Sequence, residues 1–532
     1  MPFSDRVCSL LDSMSLEQKT GQIFIFTWRH HQQAVNDLKW HPGGYVRIYG
    51  NALGTARENL DIQKQTNVPL LLTADLERGI GGTINGALEV VTCMALGATG
   101  DEKMAFDAGA MIGREALAMG INMNYAPVLD VNSNAANPVI NNRSFGSNPD
   151  FVARMGVAFS RGLQSAGVAS CGKHFPGHGD SSVDSHSLLG VIDGSPERLE
   201  RVELYPFRKA IESGIDGIMS AHLQLPAIDP ELLPGTLSYK VMTTLLRDEM
   251  GFQGVAISDA MDMGAIAENY PPEISIPMAI NAGCDQLIMP QDNERAVTVL
   301  RRAVEDGTVS TDRLNEAVGR ILSLKEKYGI LDRKNLPQPE TLSTKVCVPE
   351  HIERCEEIAR ASITLVKNGD GLLPLKAEQK LLCLLFTTST DSRAYYLEPR
   401  SFADHLGSHF DQVVRQDLGT SLLHADTLPS TILEQAHSSD VIVLAGYISI
   451  RLGSGTIGLP QEISDNLAPL FAVGKPVVFI SFGNPYIITS LPGAQGLVCA
   501  YSGTQHSQKA AAQALAGILE FRGKLPVELE AQ

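Results

Sequence analysis

The sequence predicts an α/β protein: an N-terminal (β/α)8 barrel of the TIM type, followed by a smaller C-terminal α/β sandwich domain. Three observations predict it. Short apolar runs alternate with helical periodicity at spacings of about 25 to 55 residues, the pattern of βαβ units and a parallel sheet. Each run ends in polar residues. No GxGxxG or Walker sequence follows any of them, so a doubly wound nucleotide-binding sheet is the weaker alternative.

The strand-like runs are, in order, VPLLLTADLERG, INMNYAPVLDVN, GVASCGKHFPGHGD, DGIMSAHLQLP, GVAISDAMDM and CDQLIMPQD. Between them DEKMAFDAGAMIGREALAMG, DFVARMGVAFSRGLQSAG, SPERLERVELYPFRKAIESG and SYKVMTTLLRDEMG repeat apolar residues at helical spacing. A barrel builds its site at the C-terminal ends of its strands, so Asp75, Asp130, Lys173, His174, His222 and Asp259 are expected at one mouth. The barrel is assigned to residues 1–335. Residues 336–346 are read as a linker, because DRKNLPQPETLSTKV is polar, holds two prolines and lacks an apolar period. Residues 347–532 form the second domain, where SITLVKNG, KLLCLLF, DVIVLAGY, KPVVFISFGNP and GLVCAYSG alternate with helices.

Composition narrows the function. With 44% apolar residues, 19% charged residues and a formal charge of −17, the chain has the make-up of a globular enzyme. The acidic balance and the absence of any basic block argue against nucleic acid or an anionic membrane as partner and favour a small, weakly charged substrate. No apolar run reaches membrane-spanning length, and MPFSDRVCSLLDSMSLEQKTGQ is amphipathic and acidic, unlike a secretory signal; a cytoplasmic location is expected. The eight cysteines lack a CxxC pair and read as buried thiols, without a disulfide framework or zinc site.

The stretch GKHFPGHGDSSVDSHSLLGV, residues 172–191, concentrates the chemistry. His174, His178 and His186 stand four and eight residues apart around Pro176, Gly177 and Gly179, so a helix cannot present them on one face, and no HxHxDH zinc pattern is present. No metal or other cofactor is expected. The glycine spacing is wrong for a phosphate cradle, and Asp180 and Asp184 would repel the anion. Proton transfer fits better: in extended backbone Asp184 and His186 point the same way, and the carboxylate would orient the imidazole. A capping role for Asp184 beside a solvated His186 stands as the alternative. Asp259, after the apolar run GVAIS, is placed for a nucleophile or for a helix N-cap; Asp262 falls three residues into the expected helix and is less suited.

KHFPGHGDSSVDSH, followed some seventy residues later by GFQGVAISDAMDM, resembles the family 3 glycoside hydrolases, and within them the β-N-acetylhexosaminidase branch. The resemblance extends over MSLEQKTGQ, TADLERG, APVLDVN, NNRSFG, MSAHLQLPAID, PGTLS and NAGCDQLIMP, and SITLVKNGDGLLPL is similar to the second domain of two-domain members. It implies a retaining exo-β-N-acetylglucosaminidase acting on a small carbohydrate such as a peptidoglycan or chitin fragment. Asp259 is the implied nucleophile, with His186 as acid/base oriented by Asp184. Asp75, Arg143, Lys173 and His174 fall on sugar-binding positions, and Asp130, His178 and His222 either contact sugar or orient those that do. β-Glucosidases of the family take a glutamate from the second domain, but VIVLAGYISIRLGSGTIGLPQE has no acidic residue between Asp440 and Glu462, which favours the histidine. Where muropeptide-processing members read Asp-Gln-Glu-Gly-Gly, this chain has Asp75-Leu76-Glu77-Arg78-Gly79, a change that bears on the leaving group. A phosphorylase or β-glucosidase of the same family and a sugar-binding protein without turnover are the other readings. Nothing in the sequence fixes the oligomeric state.

Overall fold

The computed structural model describes residues 3–183, 189–388, 401–425, 427–448 and 458–529. The chain forms two compact units that are discontinuous in sequence: residues 1–88, 105–131 and 148–351 make one, and residues 89–104, 132–147 and 352–532 the other.

The first unit holds a closed barrel of eight parallel strands: β1 (Phe24–Trp28), β2 (Gly44–Arg47), β3 (Leu71–Ala74), β4 (Met123–Asn124), β5 (Ala169–Phe175), β6 (Gly217–Ser220), β7 (Val255–Ala260) and β8 (Gln286–Ile288). Neighbours pair in chain order and β8 closes on β1, with Phe24 opposite Leu287. Helices start where the chain supplies caps. Asn51 accepts from the Gly54 N–H to open Ala52–Lys64, and Asn148 accepts from Phe151 to open Pro149–Ser165, with proline at the first position, where no N–H is needed.

The strands are buried along nearly their whole length, and the outer layer is tied to them by side chains. Tyr45 Oη donates to the Ala34 carbonyl at 2.7 Å, and Arg47 reaches Glu58 and Asn59 on Ala52–Lys64 while lying 3.5 Å over the Trp28 ring. Tyr45 and Arg47 thus face the helices, and by strand alternation Val46 faces the interior. Residues 339–344 form a short 3-10 turn whose Leu342 is buried, so the polar stretch around it packs onto the unit.

The second unit carries a six-stranded mixed sheet. Its strands are β9 (Thr364–Asn368), β10 (Lys380–Thr387), β11 (Gln412–Gly419), β12 (Val441–Tyr447), β13 (Val477–Ser481) and β14 (Gly496–Cys499), in the order β9-β14-β13-β12-β10-β11. Only β9 runs antiparallel to its neighbour. The fold class is therefore the expected one, a TIM-type barrel with a separate α/β domain. The thiols need one correction: all eight are free, but Cys8 is exposed and Cys347 half-buried, and only the other six are buried. Among the described residues no helix is long and apolar enough to cross a membrane.

Candidate active site at the barrel mouth

Asp75 directly follows β3 and is anchored by its surroundings: Leu76 N donates to Asn124 Oδ1 at 2.9 Å, and Thr83 Oγ1 donates to the Asp75 carbonyl at 3.1 Å. Its side chain is 45% exposed and meets Lys173 Nζ at 2.5 Å. Lys173 is itself buried, and its ammonium also contacts Glu77 Oε1 at 2.8 Å. The buried Lys173 ammonium thus has two carboxylate partners and holds the part-exposed Asp75 side chain from beneath.

His174 is the next residue of β5, joined to Lys173 by a cis peptide. Asp130, fully buried after β4, accepts from the His174 and His178 backbone N–H groups at 3.2 and 2.7 Å and contacts His174 Nδ1 at 2.7 Å. An ionised carboxylate only accepts, so the Nδ1 proton of His174 lies in that bond. Burial alone would raise the Asp130 carboxyl, but His174 and the hydrogen bonds from His178 outweigh it and hold it below the usual carboxylate range. Asp130 is thus the orienting neighbour of His174. Burial, reinforced by His174, pushes His178 down to about 4, so its ring stays neutral at ordinary pH, packed edge-on to His174 at 5.9 Å. The loop here turns tightly: Gly177 has φ 130°, and a Cβ on Gly179 would lie 1.7 Å from the Val131 carbonyl oxygen.

Asp259 is the only residue of β7 that is not fully buried, and its Oδ1 accepts from the Ala260 N–H at 2.8 Å. The next helix, Gly264–Ala267, has Met263 at its N-cap without a side-chain bond, so Asp259 is not the cap of that helix. The expectation that Asp262 stands inside a helix is corrected: residues 261–263 form a turn, because β7 continues through Ala260. His222, fully buried after β6, contacts the Ala260 carbonyl through Nε2 at 3.0 Å. It therefore braces the strand end that carries Asp259 from behind.

Asp184 and His186 lie outside the described residues. Arg143 ends the turn Asn141–Arg143 in the segment 132–147, which packs with the second unit, and its Nη1 donates to the Val139 carbonyl at 3.1 Å. Glu462 is exposed in the first turn of Gln461–Ala472, also in the second unit. Among the described residues no group of three or more His, Cys, Asp or Glu side chains is arranged to hold a metal ion. Two participants escaped the sequence reading. Glu77 could have been found from its place two residues beyond Asp75 in ADLERG; Thr236, which bonds His222, carries no local signal beyond its turn.

Residues 15–324 match the glycosyl hydrolase family 3 N terminal domain, and residues 363–532 the glycosyl hydrolase family 3 C-terminal domain. This chain belongs to glycosyl hydrolase family 3. It is 31% identical over 543 residues to a beta-N-acetylglucosaminidase/beta-glucosidase of Cellulomonas fimi, covering 98% of this chain and 95% of that protein. Among solved structures it is similar to a family 3 beta-N-acetylglucosaminidase from Paenibacillus sp. str. FPU-7, at 32% identity and a TM-score of 0.89, with 98% and 100% of the two chains covered. It is also similar to the beta-glucoside phosphorylase BglX, at 28% identity and a TM-score of 0.88, covering 98% and 95%. As a two-domain family 3 glycoside hydrolase it is an enzyme acting on carbohydrate, and the reading as a sugar binder without turnover is set aside.

Proposed function

We propose that this family 3 enzyme is a retaining exo-β-N-acetylglucosaminidase that removes terminal β-linked N-acetylglucosamine from small glycosides such as peptidoglycan or chitin fragments. The observation that carries the reading is Asp259. It is the one partly exposed residue of β7, held by the following N–H, in a barrel whose other strand ends present the Asp75–Lys173 and His174–Asp130 pairs.

In the proposed reaction the Asp259 carboxylate attacks the anomeric carbon as the bond to the leaving oxygen breaks, and protonated His186 gives that oxygen its proton. Asp184 orients and stabilises the imidazolium. Water then attacks the glycosyl ester, His186 takes its proton, and the Asp259 carboxylate is released. Histidine suits this role because its ordinary pKa already lies near operating pH, whereas a carboxylic acid must be tuned upward. The parts given to Asp184 and His186 are supported by sequence resemblance alone. Asp75, Lys173 and His174 would hold hydroxyls of the terminal sugar, and a part for Arg143 is supported by sequence resemblance alone; a half-exposed carboxylate beside a buried ammonium offers an acceptor and a donor together.

The similarity to a beta-glucoside phosphorylase over nearly the whole chain supports a second reading, in which phosphate replaces water. The test is hydrolysis of p-nitrophenyl β-N-acetylglucosaminide beside the β-glucoside, with and without phosphate, on wild type and His186→Ala. The first reading expects turnover of the acetamido sugar without phosphate. It also expects His186→Ala to spare the activated nitrophenol far more than a natural disaccharide. Formation of sugar 1-phosphate at a faster rate would establish the second reading, and a His186→Ala variant silent on both leaving groups would remove the histidine from the mechanism.

A further inference from the structure

Behind Asp259 runs a buried chain of hydrogen bonds. His222 Nε2 lies 3.0 Å from the Ala260 carbonyl, His222 Nδ1 lies 2.8 Å from Thr236 Oγ1, and Ser220 Oγ lies 2.7 Å from Thr236 Oγ1. Ser220, His222 and Thr236 are all fully buried. We propose that Thr236 is a positioning residue for the sugar-transfer step: by holding His222 in a single tautomer, it fixes the Ala260–Met261 peptide, and through it the neighbouring peptide whose N–H orients the Asp259 carboxylate. The inference rests on Asp259 being the nucleophile, as proposed above.

The directions of these bonds follow from which atoms carry protons. A carbonyl oxygen only accepts, so His222 Nε2 must carry hydrogen. In the neutral ring Nδ1 must then accept, and the Thr236 hydroxyl must donate to it. Thr236 has one proton to give, so Ser220 donates to Thr236, and the 3.3 Å contact from Thr236 to the Ala221 carbonyl is the longer alternative. The order is Ser220 to Thr236 to His222 to the Ala260 carbonyl.

That carbonyl belongs to the peptide joining Ala260 and Met261, whose N–H donates to the Ile288 carbonyl at 3.0 Å. The peptide is therefore held on both edges, by His222 and by β8. It in turn sets the Ala260 N–H that reaches Asp259 Oδ1 at 2.8 Å. Were the ring proton on Nδ1, the Nε2 lone pair would face the Ala260 oxygen, and repulsion between them would release the strand end. A nucleophile displaced by about 1 Å loses on the order of a hundredfold in rate. A merely structural threonine would affect folding and leave the reacting geometry alone.

The test uses the full-length enzyme and a 5-fluoro analogue of N-acetylglucosaminyl fluoride, a slow substrate that leaves the sugar on the nucleophile. Mass spectrometry of the labelled peptide is expected to find the sugar on Asp259. In Thr236→Val the labelling rate and kcat/KM should both fall on the order of a hundredfold, while N-acetylglucosamine inhibits as it does wild type. Thr236→Ser, which keeps the hydroxyl, should restore both rates. Label on Asp259 with an unchanged rate in Thr236→Val overturns the role of Thr236 and leaves the nucleophile standing; label on another residue overturns the reading of Asp259 and this inference with it. Nitrogen-15 NMR of histidine-labelled wild type is independent of how Thr236→Val folds. A His222 proton on Nε2 is expected there, and one on Nδ1 would overturn the proposal.

Discussion

The barrel carries charge clusters at both ends, and they are built differently. At the floor, where strands begin, Asp285 is fully buried and accepts from Arg247 at 2.5 Å, Arg313 at 3.0 Å, Arg320 at 3.1 Å and the Ala256 N–H at 3.0 Å. Asp216, before β6, accepts from Lys327, the Tyr328 hydroxyl, Gln164 and the Ser170 N–H. Each carboxylate is enclosed by donors of the fold. At the mouth, Asp75 leaves nearly half its side chain exposed while its cationic partner Lys173 is buried. The floor spends its charge on joining helices to strands; the mouth supports groups from beneath and directs them outward, as a substrate site requires.

The sharpest way to break this contrast is to exchange the expected phenotypes. Burial alone would raise the Asp285 carboxyl, but its three arginines outweigh it and hold it below the usual range. Asp285→Ala would strand those cations, and a loss of about 3–5 kcal/mol in denaturant unfolding is expected, with kcat/KM per folded molecule kept. Asp75→Asn should do the opposite. Removing a charged acceptor for a sugar hydroxyl is expected to lower kcat/KM on the order of a hundredfold with a small change in Tm. An Asp75→Asn that unfolds the protein but hydrolyses normally would reverse the assignment.

A smaller effect sharpens the picture at the mouth itself. His178 is neutral in the fold, at about 4, against an ordinary value of 6.5. Between those values the unfolded chain binds the extra proton, so the stability His178 contributes is complete above pH 6.5 and is lost as pH falls toward 4. About 2 kcal/mol should disappear between pH 7 and pH 5, and His178→Phe should flatten that part of the curve of Tm against pH. An unchanged slope in the variant would show that His178 titrates normally.

Much of this was legible in the sequence, for physical reasons that also mark where legibility stopped. The six quoted runs each held a barrel strand because a buried parallel strand must be apolar and its mouth end polar. FIFTW and GYVR, which are β1 and β2, were not among those runs; Arg47, the last residue of β2, turns back onto Trp28 and the helix Ala52–Lys64. The barrel class was recoverable from strand alternation; the packing of segments 89–104 and 132–147 with the second unit was not, because it follows from contacts hundreds of residues away, such as Thr92 Oγ1 donating to the Tyr501 carbonyl. Lys173, His174 and Asp259 stood out by residue type after a strand. Asp130 was already expected among them; the part of Thr236 became readable only with geometry, since a hydroxyl donor has no spacing of its own.

The most direct measurement is chemical rescue of Asp259→Gly on p-nitrophenyl β-N-acetylglucosaminide, with Tm recorded beside activity. Loss of the nucleophile should leave a normally folded protein with hydrolysis reduced on the order of ten-thousandfold or more. Azide, small enough to enter the vacated space, should restore nitrophenol release and yield the α-glycosyl azide. Hydrolysis at the wild-type rate by Asp259→Gly without azide would contradict the account.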